Sequence, residues 1–188
     1  MAWKIDPAHS EINFSVRHMM ISTVRGKFNK FTGTIDFNEN DPIDSSVEVV
    51  IDAASIDTRE EDRDNHLRSP DFLNVEKYPH ITFKSTRIEQ IDDDHAHIFG
   101  DLTIRDVTKE VMLNTEYAGM AKSPWGQYSA GFNATTKINR KDFGLNWNQA
   151  LETGGVLVGD EIKIDIDLEA IRIEETEEAQ PETEAAAD

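Results

Sequence analysis

The residues best suited to chemistry are histidines that lie close to carboxylates along the chain. Asp64, His66 and Arg68 fall within one short segment, and an imidazole beside a carboxylate can act as a general acid or base. No serine or cysteine nucleophile motif accompanies them. We therefore interpret this group as structural, fixing a helix and loop to one end of the fold. A mobile lid over a binding cavity is the functional alternative.

A second pair, His95 and His97, shares one face of a predicted strand, beside three consecutive aspartates at residues 92–94. Two imidazoles and a carboxylate can bind zinc, but a His-x-His pair alone specifies little. The chain contains no cysteine, which excludes thiolate ligands and disulfides. We interpret the segment as an exposed hairpin tip and predict no metal, no cofactor and no catalytic residue.

His18 ends an otherwise apolar row formed by Ile12, Phe14 and Val16. Two readings stay open for this side chain. It is either a core or rim histidine with a backbone partner, or a polar contact to the head group of a ligand. Arg17 faces the other way if the strand is regular, so we expect it at the surface.

Strict alternation is the pattern that must position these residues. From Ile162 to Ala170 every second side chain is apolar and every intervening one is charged, which is typical of a half-buried strand. The same period predicts strands between Trp3 and Ala53. It also predicts five later strands, at residues 81–88, 96–104, 107–117, 127–138 and 157–173. A one-residue phase slip at Asn29-Lys30 predicts a kink that lets the sheet curl.

Residues 57–79 interrupt the alternation. Thr58 and Glu61 have the spacing of a capping box, which predicts a short polar helix at residues 59–69, ended by Pro70. Within it, Asp64 and Arg68 are spaced to pair across one turn.

About eight antiparallel strands with one apolar face each form either a sandwich or a closed barrel. An eight-stranded barrel is filled by its own side chains or holds one small ligand. For each candidate wall residue, ordinary core packing is the alternative to ligand contact. The candidates are Phe14, Val16, Phe28, Ile51, Phe83, Ile104, Phe132 and Trp147, with His18 as the polar one.

The charge of the chain limits its partners. The formal net charge is −18, and it is still −11 without the seven acidic residues that follow Ile173. Nucleic acid binding is therefore not expected, because it requires basic patches. No segment has the roughly 20 apolar residues of a membrane helix, and the N-terminus has no apolar signal region, so we expect a cytoplasmic protein. Residues 174–188 are predicted to be a disordered acidic tail.

Five segments in the same order resemble the YceI-like family. They are residues 9–18 (HSEINFSVRH), 64–73 (DNHLRSPDFL), 78–85 (YPHITFKS), 100–109 (GDLTIRDVTK) and 140–147 (RKDFGLNW). The resemblance runs from about Trp3 to Ile173, and we predict that residues 1–173 form one domain. It departs at Asp106, where relatives usually have glycine in a hairpin turn.

The resemblance implies a lipocalin-like antiparallel β-barrel with a long hydrophobic cavity. It also implies binding of a polyisoprenoid, such as an isoprenoid quinone, or of a fatty-acid-like lipid, with no agreed enzymatic activity and with a homodimer as the oligomeric state. Two rival hypotheses remain. One is an enzyme for a small apolar substrate that uses His18 or His66 with a carboxylate. The other is a solid-cored stress or interaction protein.

Overall fold

A computed structural model describes residues 1–174 of this chain, in which antiparallel strands dominate. The strands are β1 Ala2–Ile5, β2 Glu11–His18, β3 Ser22–Phe28, β4 Phe31–Asp36, β5 Ser46–Asp52, β6 Ile56–Asp57, β7 His80–Gln90, β8 His95–Ile104, β9 Val107–Lys122, β10 Tyr128–Asn139 and β11 Val158–Arg172. The helix α1 spans Glu61–Arg68. No helix of residues 1–174 is long and apolar enough to cross a membrane. The predicted acidic tail, apart from Glu174, lies outside the described residues.

The eleven segments build an eight-stranded barrel because three of its strands are each interrupted once. β1 and β2 both pair with β11 and together form one barrel strand, and the pairs β3/β4 and β5/β6 form the next two. β7 to β10 follow in order, and β10 pairs with β11, which closes the ring. Every pairing is antiparallel. The predicted eight-stranded barrel is therefore confirmed, and the sandwich is excluded.

The predicted kink at Asn29-Lys30 lies between β3 and β4. The backbone N–H of Asn29 donates to the Ser55 carbonyl (3.1 Å), and that of Lys30 donates to Ser55 Oγ (3.0 Å). The neighbouring barrel strand breaks at the same level, and Asp52 N donates to the Lys30 carbonyl (2.9 Å). Two adjacent interruptions thus satisfy each other's backbone groups while the sheet bends.

The helix forms close to its predicted place, but its predicted contacts are wrong. Its N-cap residue is Glu60, whose side chain makes no capping hydrogen bond. Thr58 instead donates from its backbone N (2.9 Å) and its Oγ1 (2.5 Å) to Oδ1 of buried Asp64. Arg68 donates to the carbonyls of Ala54 and Ile56 rather than pairing with Asp64. Both changes arise because the helix docks against the chain that precedes it.

The hairpin between β8 and β9 accommodates the missing glycine through the preceding residue. Arg105 takes the left-handed conformation with φ of 56°, whereas Asp106 is not among the residues with positive φ. The two strands still pair from Ile104 with Val107 onward.

Candidate functional site

The barrel encloses a cavity of about 410 Å³, within the range of small-molecule sites. The side chains that line it in the middle are aliphatic or aromatic. The alternating row of β11 contributes Ile162, Ile164, Ile166 and Leu168. This is the inward row that the sequence pattern predicts, and its last member, Ala170, is fully buried in solid packing instead.

The length of the cavity follows from the strands that line it. Along β8, Ala96, Ile98, Leu102 and Ile104 all line the cavity. A strand rises about 3.4 Å per residue, and barrel strands tilt by about 35–45°, so this row spans about 20 Å along the barrel axis. The cavity is therefore long and narrow rather than round.

One end of the cavity is closed by side chains from α1 and the segment after it. We call this the closed end; it consists of Leu67, Phe72, Leu73, Arg140 and Leu145. Phe72, Leu73 and Leu145 are buried. The predicted polar helix therefore caps the barrel, with Leu67 as its apolar contact to the interior.

Arg140 holds the closed end together. Its Nε donates to the Gly159 carbonyl (2.8 Å), and one of its terminal nitrogens donates to the carbonyls of Leu145 (2.6 Å) and Trp147 (2.8 Å). The other terminal nitrogen contacts the Val158 carbonyl (3.4 Å). Burial lowers the pKa of the guanidinium, and the nearby Asp160 carboxylate opposes that shift. The side chain is 2% exposed and acts as a clip for the loop between β10 and β11.

Behind the closed end lies an aromatic cluster of His66, Phe72 and Trp147. The centroid of the His66 ring is 4.6 Å from that of Trp147 and 5.1 Å from that of Phe72. His66 Nε2 also contacts Asp71 Oδ2 at 2.9 Å. Phe72 alone of these three lines the cavity, so the cluster supports the cap from outside.

The opposite end opens to solvent, and we call it the mouth. The β4–β5 connection contributes Glu39, Pro42 and Ser45, and the β7–β8 connection contributes Asp92, Asp93 and Asp94. Glu39 and the three aspartates are exposed. Gln90, His95 and Ser46, at the ends of the flanking strands, complete the mouth.

Three aromatic rings stand just inside the mouth. The centroids of Phe37, Tyr117 and Phe132 lie 5.2–5.5 Å apart in each pair. Burial raises the pKa of the Tyr117 phenol, and the charge of Glu39 adds to that shift. Tyr117 therefore stays neutral at physiological pH, and its hydroxyl is a polar group beside an otherwise apolar wall.

The histidine and aspartate at the mouth form a turn rather than a metal site. Asp92 Oδ1 accepts hydrogen bonds from the backbone N of Asp94 and of His95, and contacts His95 Nδ1 at 2.8 Å. Its hydrogen bond to Asp92 raises the pKa of His95. Among the described residues, three possible ligands do meet elsewhere, at Asp6, His9 and Glu169, but that group does not line the cavity.

Seven of the nine predicted site residues line the cavity: Phe14, Val16, Phe28, Ile51, Phe83, Ile104 and Phe132. His18 does not line it; it ends β2 opposite Val158, beyond an irregularity in the pairing of β2 with β11, and Val158 lines the cavity there. Trp147 does not either, because it packs against His66 and Phe72 behind the cap. That the lining residues contact a ligand stays a prediction.

Sequence reasoning missed several residues that shape this site. Neither Arg140 nor Glu39 belongs to an alternating row that would mark it as lining. The sequence could have identified Tyr117, since it continues the alternating row of Val111, Leu113 and Thr115 on β9. All four residues line the cavity.

Comparisons with known proteins agree with this architecture. A family model described as the YceI-like domain matches residues 3–170. A UPF0312 protein of Staphylococcus epidermidis is 40% identical over 168 residues, which cover 89% of this chain and 95% of that protein. The crystal structure of the Campylobacter jejuni YceI protein is similar with a TM-score of 0.73 and 35% identity, over 84% of this chain and 90% of that one.

A more distant structure shares the fold. A polyisoprenoid binding domain from Saccharophagus degradans, implicated in plant cell wall breakdown, matches with a TM-score of 0.65 over 89% of this chain and 97% of that one. Its identity is 15%, so the likeness concerns the fold alone.

Proposed function

The chain belongs to the YceI-like family, and from that premise we propose that its barrel binds a polyisoprenoid or similar long-chain lipid, tail first. The observation that carries the proposal is the apolar cavity of about 20 Å, closed at one end and open at the other. Such a shape receives a flexible hydrocarbon chain end-on. The polar part of the lipid then stays at the mouth.

The energetics of burial favour chain length over head-group contacts. Each CH₂ removed from water contributes about 0.8 kcal/mol, so one isoprene unit contributes roughly 3–4 kcal/mol as an upper bound. A few units approach the practical limit of non-covalent affinity. The apolar wall therefore supplies most of the binding free energy.

The length of the cavity suits a hydrocarbon chain of several isoprene units and also a long acyl chain. A cavity of about 20 Å receives either one in a largely extended form. The distant neighbour described as a polyisoprenoid binding domain shows that this fold is compatible with such a ligand.

We propose sequestration or transport rather than catalysis. His66 and Asp71 form a pair, but neither residue lines the cavity. At the mouth, the Asp92 carboxylate is engaged by two backbone N–H groups of its own turn. His18 lies outside the lining. The hypothesis of an enzyme that uses His18 or His66 is therefore not favoured, because neither imidazole lines the apolar space described for residues 1–174.

A variant whose cavity is blocked by a larger side chain tests the proposal. Ile164 faces the cavity and its neighbour Asp165 is exposed on the outer face of the same strand. We would incubate delipidated protein with a polyprenol and count bound ligand by native mass spectrometry. The Ile164→Trp variant should lose the ligand, whereas Asp165→Trp should retain it. A wild-type protein that takes up neither polyprenol nor fatty acid would overturn the proposal.

A further inference from the structure

The charges along the cavity are distributed unevenly. Among the described lining residues there is no lysine, and the one arginine is Arg140 at the closed end. The four lining carboxylates, those of Glu39 and of the aspartates at residues 92–94, all lie at the mouth. We propose that this cavity selects its lipid by head-group charge: it takes long-chain lipids with an uncharged or cationic head and discriminates against phosphorylated or carboxylated ones. This inference rests on the proposed function.

At the closed end, the guanidinium of Arg140 is already hydrogen-bonded to backbone carbonyls and is not available to an anionic head group. Three nitrogens of Arg140 are directed to the carbonyls of Leu145, Trp147, Val158 and Gly159. Phe72, Leu73 and Leu145 surround the end with apolar surface and are buried. A charged head group placed here would lose its hydration without gaining a free donor. The head group therefore belongs at the mouth.

The mouth carries a cluster of negative charge on two neighbouring connections. Glu39, Asp93 and Asp94 are exposed, and their carboxylates accept no hydrogen bond from any residue in the described range 1–174. The cation that the mouth can supply is His95 in its protonated form, which offsets one carboxylate and is hydrogen-bonded to Asp92. The net charge of the mouth stays negative in either state of His95.

Three other cations near this end are engaged outside the cavity. Arg87 pairs with Glu89 and stacks on the Phe99 ring at 3.5 Å. The N-terminal amine of Met1 pairs with Asp36 at 2.9 Å. Arg172 lies over the Tyr128 ring at 3.8 Å. None of these three cations lines the cavity.

Neutral hydrogen-bonding groups at the mouth suit an alcohol, carbonyl or amine. The Tyr117 hydroxyl, kept neutral by burial beside Glu39, and the Gln90 amide both line this end. An uncharged head can exchange hydrogen bonds with them at no Coulombic cost. An amine additionally gains from the carboxylates.

The size of the effect follows from Coulomb's law. Four carboxylates about 10 Å from a singly charged head group change its affinity by roughly sevenfold at 10 mM ionic strength and by about twofold at 150 mM. The selection should therefore be strongest in dilute buffer and should decline as salt is added.

The test compares three ligands with the same tail: a polyprenol, the corresponding amine and the corresponding monophosphate. Dissociation constants would be measured for the full chain at both ionic strengths. We expect the amine to bind most tightly and the monophosphate at least tenfold more weakly than the polyprenol in dilute buffer.

Two triple variants separate local charge from overall charge. Glu39→Gln with Asp93→Asn and Asp94→Asn neutralises the mouth and spares Asp92, which holds its turn. Glu161→Gln with Asp165→Asn and Asp167→Asn changes the net charge equally at exposed positions of β11 that do not line the cavity. The first variant should remove most of the preference, since only Asp92 keeps its charge, and the second should keep it.

Each outcome decides between the two proposals. A wild-type protein that binds the monophosphate as tightly as the polyprenol overturns the charge selection while the lipid-binding function stands. An equal loss of preference in both triple variants also overturns it, because the effect would then come from overall charge. If no ligand of the three binds, the lipid-binding function itself is overturned.

Discussion

Gly100 on β8 lies directly beneath the ring of Phe83 on the neighbouring strand β7. A Cβ added at Gly100 would be 2.4 Å from Phe83 Cζ and 2.6 Å from the Lys84 carbonyl oxygen. Both residues are buried, and Phe83 lines the cavity. The missing side chain at residue 100 is therefore what allows the Phe83 ring to lie flat against the wall.

Substituting Gly100 by Ala should force the ring and the β7 backbone to shift. Overpacking of this kind costs about 1–3 kcal/mol of unfolding free energy. Urea unfolding would measure it, with Gly131→Ala as the control. A Cβ there meets Ala118 Cβ at 3.3 Å, so we expect a smaller loss. Equal losses in the two variants would contradict the packing described at Gly100.

The stability loss caused by substituting Phe83 distinguishes an open cavity from a solid core. One side of its ring faces the cavity, so it has fewer packing partners than a core phenylalanine. Phe31 is buried and does not line the cavity. We expect Phe31→Ala to cost about 3–5 kcal/mol and Phe83→Ala to cost clearly less, by urea unfolding. A cost for Phe83→Ala as large as for Phe31→Ala would favour the solid-cored barrel.

Arg140 should be the most sensitive polar residue at the closed end. Arg140→Met leaves the carbonyls that it contacts without their donor, and we expect a loss of about 3–5 kcal/mol in unfolding free energy. Lys141→Met is the matched control, because Lys141 also lies near Asp160 (3.3 Å) but is half exposed. Its loss should stay below about 1 kcal/mol. Similar losses in both variants would mean that stability depends on the positive charge near Asp160 and not on the hydrogen bonds from Arg140 to the backbone carbonyls.

The hydrogen bond between Asp92 and His95 gives the mouth a pH dependence. It raises the pKa of His95 and lowers that of Asp92. The stabilising contribution of His95 is fully present below about pH 6.5, its ordinary pKa, and is lost as pH rises through the higher folded-state pKa. The contribution of Asp92 is present above about pH 3.9 and is lost as pH falls through its lowered pKa.

An NMR titration of the His95 imidazole checks this assignment. Asp92→Asn should return the pKa of His95 toward 6.5, because the partner charge is gone. Asp93→Asn serves as the control, since its carboxylate makes no hydrogen bond to His95. A shift caused by Asp93→Asn as large as that caused by Asp92→Asn would contradict the direct pairing.

The inward-facing rows of the barrel could be predicted from the sequence because alternation is a local property of each strand. Ile162, Ile164, Ile166 and Leu168 point to one face whatever the strand pairs with. The phase slip at Asn29-Lys30 was readable for the same reason, since an extra residue reverses the faces. Eight such rows and the five family-like segments were sufficient to predict a closed barrel.

The failures occur where a residue's partner is distant or where the backbone leaves its regular period. Thr58 has the spacing of a capping box, but it donates to Asp64 because the helix docks on the preceding chain. His18 has the parity of an inward residue, but it ends β2 where the pairing with β11 is irregular, and it is not among the lining residues. Trp147 is apolar enough for a wall, and packs behind the cap.

By itself the sequence determined which side of each strand is dry, because covalent geometry turns successive side chains to opposite faces. Only the tertiary structure decided which interior-facing residues line the cavity and which pack against other side chains. Ile164 lines the cavity, whereas Ala170 on the same row packs opposite Ala130 and Ile5. Closure of the ring also gathered Glu39 and the aspartates of another loop at one opening. Such proximity depends on the pairing of distant strands, which no local pattern specifies.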